Sequence, residues 1–466
     1  MLDLVEQLKH QQQAHRASPH PDLAQRRADL LALKRMLTDH EQAICEAISR
    51  DYGHRSFHET RLTELLPIYS GISYTLRHLR RWMRVQSRGV DRLSFGLASN
   101  RVMPQPVGVV GVLVPWNFPV NLAFVPLTSI FAAGNRAMVK MSEHSRHLAQ
   151  LLIQIVPNYF PPQKLCFLQE TGGVGEAFSR LPFDHLLFTG SSATGRLVMA
   201  AAAQNLCPVT LELGGRSPAV VCADFDLAKA VERILYVKCL NAGQICVTVD
   251  HVYVPRGQVS AFVALARKVV TQRYGSLDSV DYTSIIHQQA YRRLTGLLDQ
   301  AAASGATVVP LLPGTARDDA RHRLAPHVVT GLPSDSPLLA SEIFGPVLPV
   351  LPYDDIDEVI NSVAIGPTPL AFYPFSNDSS LVQRLINRVM SGGVSVNDAL
   401  FHVAQHELPF GGIGASGMGH YHGREGFEAF SKMRPVFLQS RWSFTHLLYP
   451  PYGKTMERLL RLLGGR

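Results

Sequence analysis

The sequence has few cysteines, no long apolar run and no block of charge of one sign. Its six cysteines include no C-x-x-C pair, so neither a disulfide framework nor a cysteine-ligated zinc site is indicated. The nearest candidate for a membrane span, Val120 to Gly134, contains Asn121, Thr128 and Ser129 and is shorter than the roughly 18 residues that a spanning helix needs. The acidic N-terminus lacks the features of a secretion signal, and we therefore expect a cytoplasmic protein.

The charge of the chain also narrows the class of partner. The 466 residues include 45 Lys and Arg against 37 Asp and Glu, which gives a formal net charge of +8. The basic residues are scattered, which favours attraction of anionic ligands over binding of nucleic acid. With 46% hydrophobic and 18% charged residues, the chain is long enough for two or three domains with full cores.

The spacing of apolar residues predicts an α/β fold. Leucines recur at helical intervals up to about Arg84, and from Val107 short apolar strands alternate with helices. Such alternation is typical of doubly wound parallel sheets, in which ligands bind beyond the carboxyl ends of the strands. The glycines of Leu211-Glu212-Leu213-Gly214-Gly215 interrupt a strand and mark a boundary between two such units. Strands are predicted at 107–114, 137–141, 165–168, 185–188, 219–222, 251–254, 306–311, 347–351 and 392–396, and helices at 120–133, 144–157, 192–204, 226–240, 257–273, 287–303, 355–364 and 378–390.

The predicted strand at 185–188 leads into a turn that is suited to a phosphate. Gly190-Ser191-Ser192-Ala193-Thr194-Gly195 resembles the start of a P-loop, but Arg196-Leu197 replaces the Lys and Ser or Thr that nucleotide hydrolysis requires. Free N–H groups and the dipole of the following helix favour a pyrophosphate at this turn. An ordinary strand–helix turn with a serine cap would have the same sequence.

Lys140 ends a predicted strand, and Glu143 follows three residues later. The two side chains can share the hydroxyls of a ribose, and the carboxylate would repel a 2′-phosphate, which favours NAD over NADP. A solvated Lys–Glu pair is the alternative interpretation of these charges.

Two further patterns are rejected because of their context. Gly412-Ile413-Gly414-Ala415-Ser416-Gly417 matches G-x-G-x-x-G, but no parallel strand precedes it and no acidic residue follows about 20 positions later. A tight backbone turn is expected there instead. His402 and His406 are four residues apart but lack the glutamate of H-E-x-x-H, so no metal site is expected.

Cys246 ends the polar stretch Asn241-Ala242-Gly243-Gln244-Ile245-Cys246 and precedes an apolar run, Val247 to Val254, that predicts a strand. A loop can expose a thiol to N–H dipoles that favour the thiolate, as a nucleophile requires. A buried cysteine that serves only for packing fits the same local sequence. The rest of the chain has to distinguish the two interpretations.

Four stretches resemble the aldehyde dehydrogenase superfamily in their order and spacing, and the resemblance covers nearly the whole chain. They are Pro115-Trp116-Asn117-Phe118-Pro119, Glu212-Leu213-Gly214-Gly215-Arg216-Ser217-Pro218, the stretch ending in Cys246, and Glu342-Ile343-Phe344-Gly345-Pro346-Val347. Leu408-Pro409-Phe410-Gly411-Gly412 and the later Tyr449-Pro450-Pro451-Tyr452 resemble the shorter, class 3-like branch. Within that branch the chain is most similar to coniferyl aldehyde dehydrogenases.

The resemblance implies two doubly wound, Rossmann-like parallel-sheet domains and a small β oligomerisation element. The NAD-binding domain would comprise 1–85 and 104–211, and the catalytic domain 212–400. The oligomerisation element, 86–103 and 401–440, would build a homodimer. The C-terminal tail, 441–466, contains a short basic amphipathic segment, Thr455 to Arg466, which we expect to dock on the protein's own surface rather than on a membrane.

The resemblance also implies the chemistry. Cys246 attacks the aldehyde carbonyl, and the Asn117 amide and the Cys246 N–H hold the oxyanion. After hydride transfer to the nicotinamide, Glu212 activates the water that hydrolyses the thioester. The expected cofactor is NAD, with NADP as a second choice, and the residues that the resemblance assigns to its binding are Trp116, Lys140, Glu143, Gly190, Ser191, Gly195, Leu213, Gly214, Glu342 and Phe344.

Some residues near Cys246 depart from the family pattern. Arg216 replaces a lysine, Ile245 replaces a common threonine, and Thr248-Val249-Asp250-His251 differs from the usual Ala-Pro-Asp-Tyr. The substrate therefore stays open between an aromatic aldehyde, such as coniferyl aldehyde, and a medium-chain aliphatic one. An acylating, coenzyme A-dependent enzyme and a non-catalytic relative are the alternatives, and Glu212 argues against the first because a water-activating base is of no use to it.

Overall fold

The computed structural model describes residues 4–443 and 445–464. Residues 1–3, 444, 465 and 466 lie outside it, and the predicted tail at 441–466 is therefore covered in part. The α-helices are α1 (Leu4–Ala17), α2 (Leu23–Asp39), α3 (Glu41–Tyr52), α4 (Phe57–Thr60), α5 (Leu66–Trp82), α6 (Arg92–Phe95), α7 (Asn121–Ala133), α8 (Arg146–Ile155), α9 (Val174–Ser179), α10 (Ser192–Ala203), α11 (Leu227–Cys239), α12 (Val259–Tyr274), α13 (Gln288–Ala303), α14 (Pro337–Ala340), α15 (Ile356–Ile365), α16 (Ser379–Arg388), α17 (Gly423–Ala429) and α18 (Lys454–Leu463).

The strands are short, as expected for a doubly wound fold. They are β1 (Gln86–Arg88), β2 (Ser99–Pro106), β3 (Val109–Leu113), β4 (Arg136–Lys140), β5 (Leu165–Leu168), β6 (His185–Thr189), β7 (Val209–Glu212), β8 (Pro218–Val221), β9 (His251–Pro255), β10 (Thr307–Pro310), β11 (Arg317–Asp318), β12 (Arg323–Leu324), β13 (His327–Thr330), β14 (Val347–Tyr353), β15 (Ala371–Phe375), β16 (Gly393–Val394), β17 (Gly417–Met418) and β18 (Ser431–Leu438).

The first large sheet has the order β17-β7-β6-β3-β4-β5. Strands β7, β6, β3, β4 and β5 are parallel, and β17 pairs antiparallel with β7 at the edge. All five residues of β3 are buried, in agreement with the apolar, β-branched run from which this central strand was predicted. The parallel strands point their carboxyl ends to one edge, where Lys140 and Glu212 lie.

The second large sheet has the order β10-β13-β14-β9-β8-β15-β16. It is parallel except for β10, which pairs antiparallel with β13. Strand β15 was not predicted, and it contains Pro374, a residue that is unusual within a central strand. All five of its residues are nevertheless buried, and Pro374 sits opposite Val220 of β8. The two sheets agree with the α/β architecture that the sequence predicts.

A third sheet, β1-β2-β18, joins the two ranges that were assigned to the oligomerisation element, 86–103 and 401–440. Strand β18 pairs with β2 over its full length, from Ser431 with Pro106 to Leu438 with Ser99. The range 401–440 is divided, however, because its residues Gly417 and Met418 pair with Glu212 and Leu211 of the first large sheet. Within the described residues, no helix has the length and apolar character needed to cross a membrane.

Candidate active site

Cys246 follows a tight turn that the backbone makes in an unusual conformation. Asn241 and Ala242 have positive φ angles of 50° and 49°, and Gly243 has a φ of 71°. A Cβ atom on Gly243 would lie 2.3 Å from the carbonyl oxygen of Gly345, so only glycine fits here. The turn thereby lies directly against the segment that follows Glu342.

The strand predicted from Val247 begins only at His251. Residues Val247 to Asp250 form a buried turn instead, in which Thr248 N donates to Ile245 O at 3.1 Å and Asp250 N donates to Ser217 O at 2.9 Å. The apolar run thus reflects burial rather than strand pairing. Cys246 itself is half-buried and lines a cavity.

Asn117 lies in the loop after β3, and its amide reaches the turn before Cys246. Its Nδ2 donates to Gln244 O at 3.3 Å. Its backbone carbonyl accepts hydrogen bonds from Tyr52 Oη at 2.9 Å and from Asn241 Nδ2 at 3.0 Å. The structure therefore brings together two sequence motifs that lie more than a hundred residues apart.

Glu212 ends β7 and is 2% exposed. Neither of its carboxylate oxygens has a hydrogen-bond partner among the described residues. Burial raises the pKa of Glu212 well above its ordinary value. Burial, followed by the charges of Glu342 and Glu212, raises the pKa of Cys246 to about 12. Burial thus favours the neutral form of both the carboxyl group and the thiol.

Glu342 approaches the loop after β7. A Cβ atom on Gly214 would lie 2.3 Å from Glu342 Oε2, so the contact requires glycine. Glu342 Oε1 is buried without a hydrogen-bond partner in the described part of the chain. Burial and the nearby charge of Asp250 raise the pKa of Glu342 to about 8. An unpaired buried carboxyl oxygen of this kind fits a ligand hydroxyl that would complete its hydrogen bonding.

Trp116 and Phe344 form an aromatic pair beside these carboxyl groups. Their ring centroids are 5.5 Å apart, and the interplanar angle is 82°. Phe344 has a positive φ of 50°, a conformation that costs energy and is retained where a side chain has to be aimed precisely. Both residues were assigned to the cofactor from sequence.

A cavity of about 300 Å³ joins several of the residues that were predicted to bind the cofactor. Ser191, Gly214 and Glu342 line it. Ser191 caps α10, because its Oγ accepts a hydrogen bond from Thr194 N at 3.2 Å. Arg216, one of the departures from the family pattern, also lines the cavity and donates from Nε to Asp250 Oδ2 at 3.3 Å.

The glycine and leucine positions around this cavity are tightly packed. Gly190 N donates to Glu212 O at 3.0 Å. A Cβ atom on Gly195 would lie 2.6 Å from a methyl carbon of Leu213. The backbone N–H of Leu213 donates to Ser416 O at 3.1 Å, so the rejected G-x-G-x-x-G stretch takes part in the site as a turn at the edge of the sheet.

Lys140 forms an ion pair with a glutamate that the sequence analysis did not single out. Its Nζ lies 2.7 Å from Glu170 Oε2, whereas Glu143 contacts Ser142 and His144. Burial alone would raise the pKa of Glu170, but the Lys140 ammonium and the N–H groups of Gly175 and Gly172 lower it to about 2. Glu170 follows β5 at the same edge of the sheet, and this position after a predicted strand could have drawn attention to it.

A second cavity, of about 340 Å³, opens from Cys246 between α5, α7 and residues 400–410. Its volume is in the range of small-molecule sites. Ile245 and Val247 line it beside the thiol, whereas Thr248 and Asp250 do not. The walls are largely apolar and include the aromatic side chains of Phe118, Tyr74, Phe401 and Phe410.

His402 and His406 bond to different hydroxyl groups. His402 Nδ1 lies 2.9 Å from Ser395 Oγ, and His406 Nε2 lies 2.9 Å from Ser70 Oγ. No group of three or more potential metal ligands is found among residues 4–443 and 445–464.

Comparison with known proteins identifies the family to which this arrangement belongs. The model of the aldehyde dehydrogenase family matches residues 3–436. The chain belongs to the aldehyde dehydrogenase family. It is therefore an NAD(P)-dependent oxidoreductase that acts on the aldehyde group, as the resemblance implied.

The relatives of this aldehyde dehydrogenase agree with the class 3-like branch. It is 46% identical over 451 residues to a probable coniferyl aldehyde dehydrogenase of Pseudomonas aeruginosa, and the aligned region covers 97% of this chain and 94% of the relative. It is 42% identical over 432 residues to a coniferyl aldehyde dehydrogenase of a Pseudomonas species, with coverages of 92% and 89%. Aldehyde dehydrogenase family 3 member B1 of Rattus norvegicus is 35% identical over 441 residues, with coverages of 93% and 92%.

Solved structures share the fold of this aldehyde dehydrogenase. The substrate-bound Staphylococcus aureus AldH superimposes with a TM-score of 0.93 at 31% identity and covers 99% of this chain and 100% of that one. The Mycobacterium tuberculosis aldehyde dehydrogenase complexed with NAD⁺ gives a TM-score of 0.83 at 25% identity, with coverages of 93% and 89%. An NADP-dependent enzyme of E. coli gives 0.85 at 25% identity, with the same coverages. The enzyme thus uses a nicotinamide cofactor.

Proposed function

We propose that this aldehyde dehydrogenase oxidises a coniferyl-type aromatic aldehyde to its acid, with NAD as the preferred oxidant. The observation that carries the proposal is the position of Cys246, which lines the aldehyde-sized apolar cavity and interacts electrostatically with Glu212 and Glu342. Relatives named as coniferyl aldehyde dehydrogenases, at 42% and 46% identity, support the aromatic substrate.

In the proposed reaction, Cys246 Sγ forms a bond to the aldehyde carbon, and the thiol proton passes to solvent, directly or through Glu212, before or during attack. The carbonyl oxygen becomes an oxyanion, which the Asn117 amide and the Cys246 N–H stabilise, each donor contributing roughly 3–4 kcal/mol. A nicotinamide held by Glu342, Trp116 and Phe344 would supply the hydride acceptor, and loss of the hydride from the carbon would leave a thioester on Cys246. Glu212 then takes a proton from water, whose oxygen forms the new bond to carbon as the C–S bond breaks.

The hydrogen bonds of Asn117 suit this role. One of its two amide hydrogens is engaged by Gln244 O at 3.3 Å, and the same carbonyl also accepts from Asn241 Nδ2 at 3.1 Å. The second amide hydrogen has no partner in the described residues. A preorganised donor that is free in the resting enzyme is what an oxyanion requires.

The cofactor cavity fits a nicotinamide dinucleotide. Ser191 and the N-terminus of α10 offer N–H groups for the pyrophosphate, whereas the N–H of Gly190 is held by Glu212 O. Gly190 and Gly195 permit the close approach. Glu342 Oε1, which lacks a partner among the described residues, would accept from a ribose hydroxyl, with Leu213, Gly214, Trp116 and Phe344 around the nicotinamide end.

NAD is preferred in this proposal because of Glu143. Its side chain is 59% exposed beyond β4 and can accept from the adenosine ribose, where a 2′-phosphate would be repelled. Lys140 is held by Glu170 and would serve the same ribose through its remaining N–H groups. NADP remains the second cofactor.

The apolar cavity at Cys246 also contains a polar side chain, His406, that is suited to bind a phenol. Burial lowers the pKa of His406, so its ring is neutral at pH 7. The Ser70 hydroxyl donates to Leu66 O at 2.9 Å, and this suits the tautomer in which His406 Nε2 donates to Ser70 Oγ. In that tautomer the Nδ1 lone pair of His406 can accept from a phenolic hydroxyl, while Tyr74 stacks on the ring with centroids 5.7 Å apart. A medium-chain aliphatic aldehyde is the second candidate, favoured by the apolar walls.

We further propose a cytoplasmic homodimer. The NAD-binding domain would comprise 1–85 and 104–211 and the catalytic domain 212–400, with 86–103 and 401–440 as the oligomerisation element. Strand β18 leaves one edge of the third sheet unpaired among the described residues, which is where a second copy would add its strand. Sedimentation that gives the mass of a monomer would contradict the dimer.

Substrate, cofactor and reaction type can be tested in one assay. NADH or NADPH formation is followed with coniferyl aldehyde, cinnamaldehyde and octanal, each with and without coenzyme A. We expect the highest kcat/KM with coniferyl aldehyde and NAD, no requirement for coenzyme A, and the free acid as product. Cys246→Ser should abolish turnover, whereas Cys166→Ser, at a half-buried cysteine of β5, should retain it. Turnover that depends on coenzyme A would indicate an acylating enzyme instead.

A further inference from the structure

Arg55 lies between α3 and α4, far in sequence from the active-site motifs, and its side chain is fully buried. Its guanidinium is hydrogen-bonded on every side. Nε donates to Glu59 Oε1 at 3.3 Å, and Nη1 donates to Glu64 Oε1 at 2.8 Å. Nη2 donates to Thr63 Oγ1 at 3.1 Å, and Nη1 also donates to the backbone carbonyl of Asn117 at 3.3 Å.

The carboxylates of Glu59 and Glu64 connect the Arg55 guanidinium to both active-site loops. Glu64 Oε2 accepts from the N–H groups of Val120 and Asn121, at 2.8 Å each, and so fixes the chain where the Asn117 loop enters α7. Glu59 Oε2 accepts from Asn241 N at 3.0 Å, at the turn that leads to Cys246. Buried ions are retained when such hydrogen bonds satisfy them.

The loops are also joined to each other directly. Asn241 Nδ2 donates to Asn117 O at 3.0 Å and to Gln244 O at 3.1 Å. The carbonyl of Asn117 therefore accepts from both Arg55 and Asn241. A single guanidinium thus spans the segment that holds the oxyanion amide and the segment that holds the thiol.

We propose that Arg55 is a positioning residue that sets the distance between the Asn117 amide and Cys246. Arg55 lines neither the cavity at Cys246 nor the cofactor cavity, and it acts through Asn117, Glu59 and Glu64. The inference rests on the proposed function of Asn117 and Cys246. Its physical basis is geometric: an error of about 1 Å in the placement of reacting groups can lower a rate by about a hundredfold.

The first test is Arg55→Lys, which keeps the charge but cannot donate in several directions at once. The first-turnover formation of NADH, measured by stopped flow, should slow about tenfold to a hundredfold, while the Kd for NAD should stay within twofold of the wild type. An unchanged first-turnover rate in folded Arg55→Lys would overturn the proposal.

Two other variants accompany Arg55→Lys, one as a control and one as its substitute. Arg26→Lys alters another buried arginine of the N-terminal helices, which bonds to the carbonyls of Pro21 and Ala132. It should lower the thermal midpoint but leave the first-turnover rate unchanged. Should Arg55→Lys not fold, the charge-balanced Arg55→Met/Glu64→Gln replaces it with the same expected slowing.

A double-mutant comparison separates positioning from general loosening of the fold. In an Asn117→Ala background, Arg55→Lys should slow the first turnover less than threefold, because the group that it positions is gone. Multiplicative effects of the two substitutions would overturn the proposal. If Asn117→Ala alone leaves the first turnover at the wild-type rate, the oxyanion assignment fails, and with it the basis of the inference, whereas the acid-forming activity would stand.

Discussion

Lys140 Nζ lies 2.7 Å from Glu170 Oε2. This ion pair lies at the carboxyl ends of the strands of the first sheet, beside the predicted ribose site. The same carboxylate accepts from the backbone N–H groups of Gly172, Val174 and Gly175 at 2.8, 3.0 and 2.9 Å. Glu170 thereby ties a lysine of one strand end to the loop and first turn of α9.

We expect Glu170→Gln to lower the free energy of unfolding at pH 7 by about 1.5–3 kcal/mol, the range for hydrogen bonds to charged groups. Because the pKa of Glu170 is depressed from 4.5 to about 2, its stabilisation is fully present above about pH 4.5 and declines as the pH falls towards 2. Denaturant unfolding at several pH values measures this. Glu176→Gln, which breaks an exposed pair with Arg180, should have little effect at any pH.

Glu212→Gln should separate the two halves of the reaction. Without a base to activate water, we expect steady-state turnover to fall by a factor of about 10²–10⁴, while the first turnover still yields NADH. Acid quenching followed by mass spectrometry should then find an acyl group on Cys246. Loss of the first turnover as well would mean that Glu212 also deprotonates the thiol.

The pH dependence of turnover should follow from the same carboxyl group. Burial raises the pKa of Glu212 above its ordinary value, so the base form becomes more abundant as the pH rises. Release of the carboxylic acid should therefore accelerate with rising pH in the wild type, at pH values above those at which an ordinary glutamate titrates, and the rising limb should be absent from the residual turnover of Glu212→Gln. A flat profile in the wild type would contradict a buried base.

Gly214→Ala should weaken cofactor binding. The added Cβ would lie 2.3 Å from Glu342 Oε2, so the carboxylate has to move away from its place beside the cofactor cavity. We expect the KM for NAD to rise at least tenfold. Gly296→Ala is the matched control, since a Cβ there meets no atom within 4 Å, and alanine is the better helix former.

His406→Leu should distinguish hydroxylated from plain aromatic substrates. A neutral hydrogen bond contributes about 0.5–1.5 kcal/mol, which corresponds to a rise in KM of about threefold to tenfold for coniferyl aldehyde. Cinnamaldehyde lacks the phenolic hydroxyl, and its KM should be unchanged. Equal changes for both substrates would remove His406 from phenol recognition.

Sequence patterns predicted most of the parallel strands, because buried β-branched runs have few alternative structures. They failed where tertiary contacts override propensity. Pro374 lies within a buried strand, and the apolar residues after Cys246 form a turn. Cys246, Glu212 and Asn117 could be named from motifs, since their spacing is specific.

The contacts that hold these residues could not be predicted in the same way. Arg55, Glu59 and Glu170 belong to no motif, and in sequence each resembles an ordinary surface charge. Their partners are distant in the chain: Glu59 meets Asn241, and Arg55 meets Asn117. Only the packing of the helices against the sheets brings these groups together.

The pairing of Gly417 with Glu212 has a consequence for biosynthesis. The strand that ends in the predicted base is flanked by β17, the last strand of the two large sheets to leave the ribosome. A nascent chain or a proteolytic fragment that stops before β17 would lack this edge, together with the hydrogen bond from Leu213 N to Ser416 O. In the proposed mechanism, hydrolytic competence is therefore acquired only after residues 416–418 are in place, whereas the segment that holds Cys246 is made earlier.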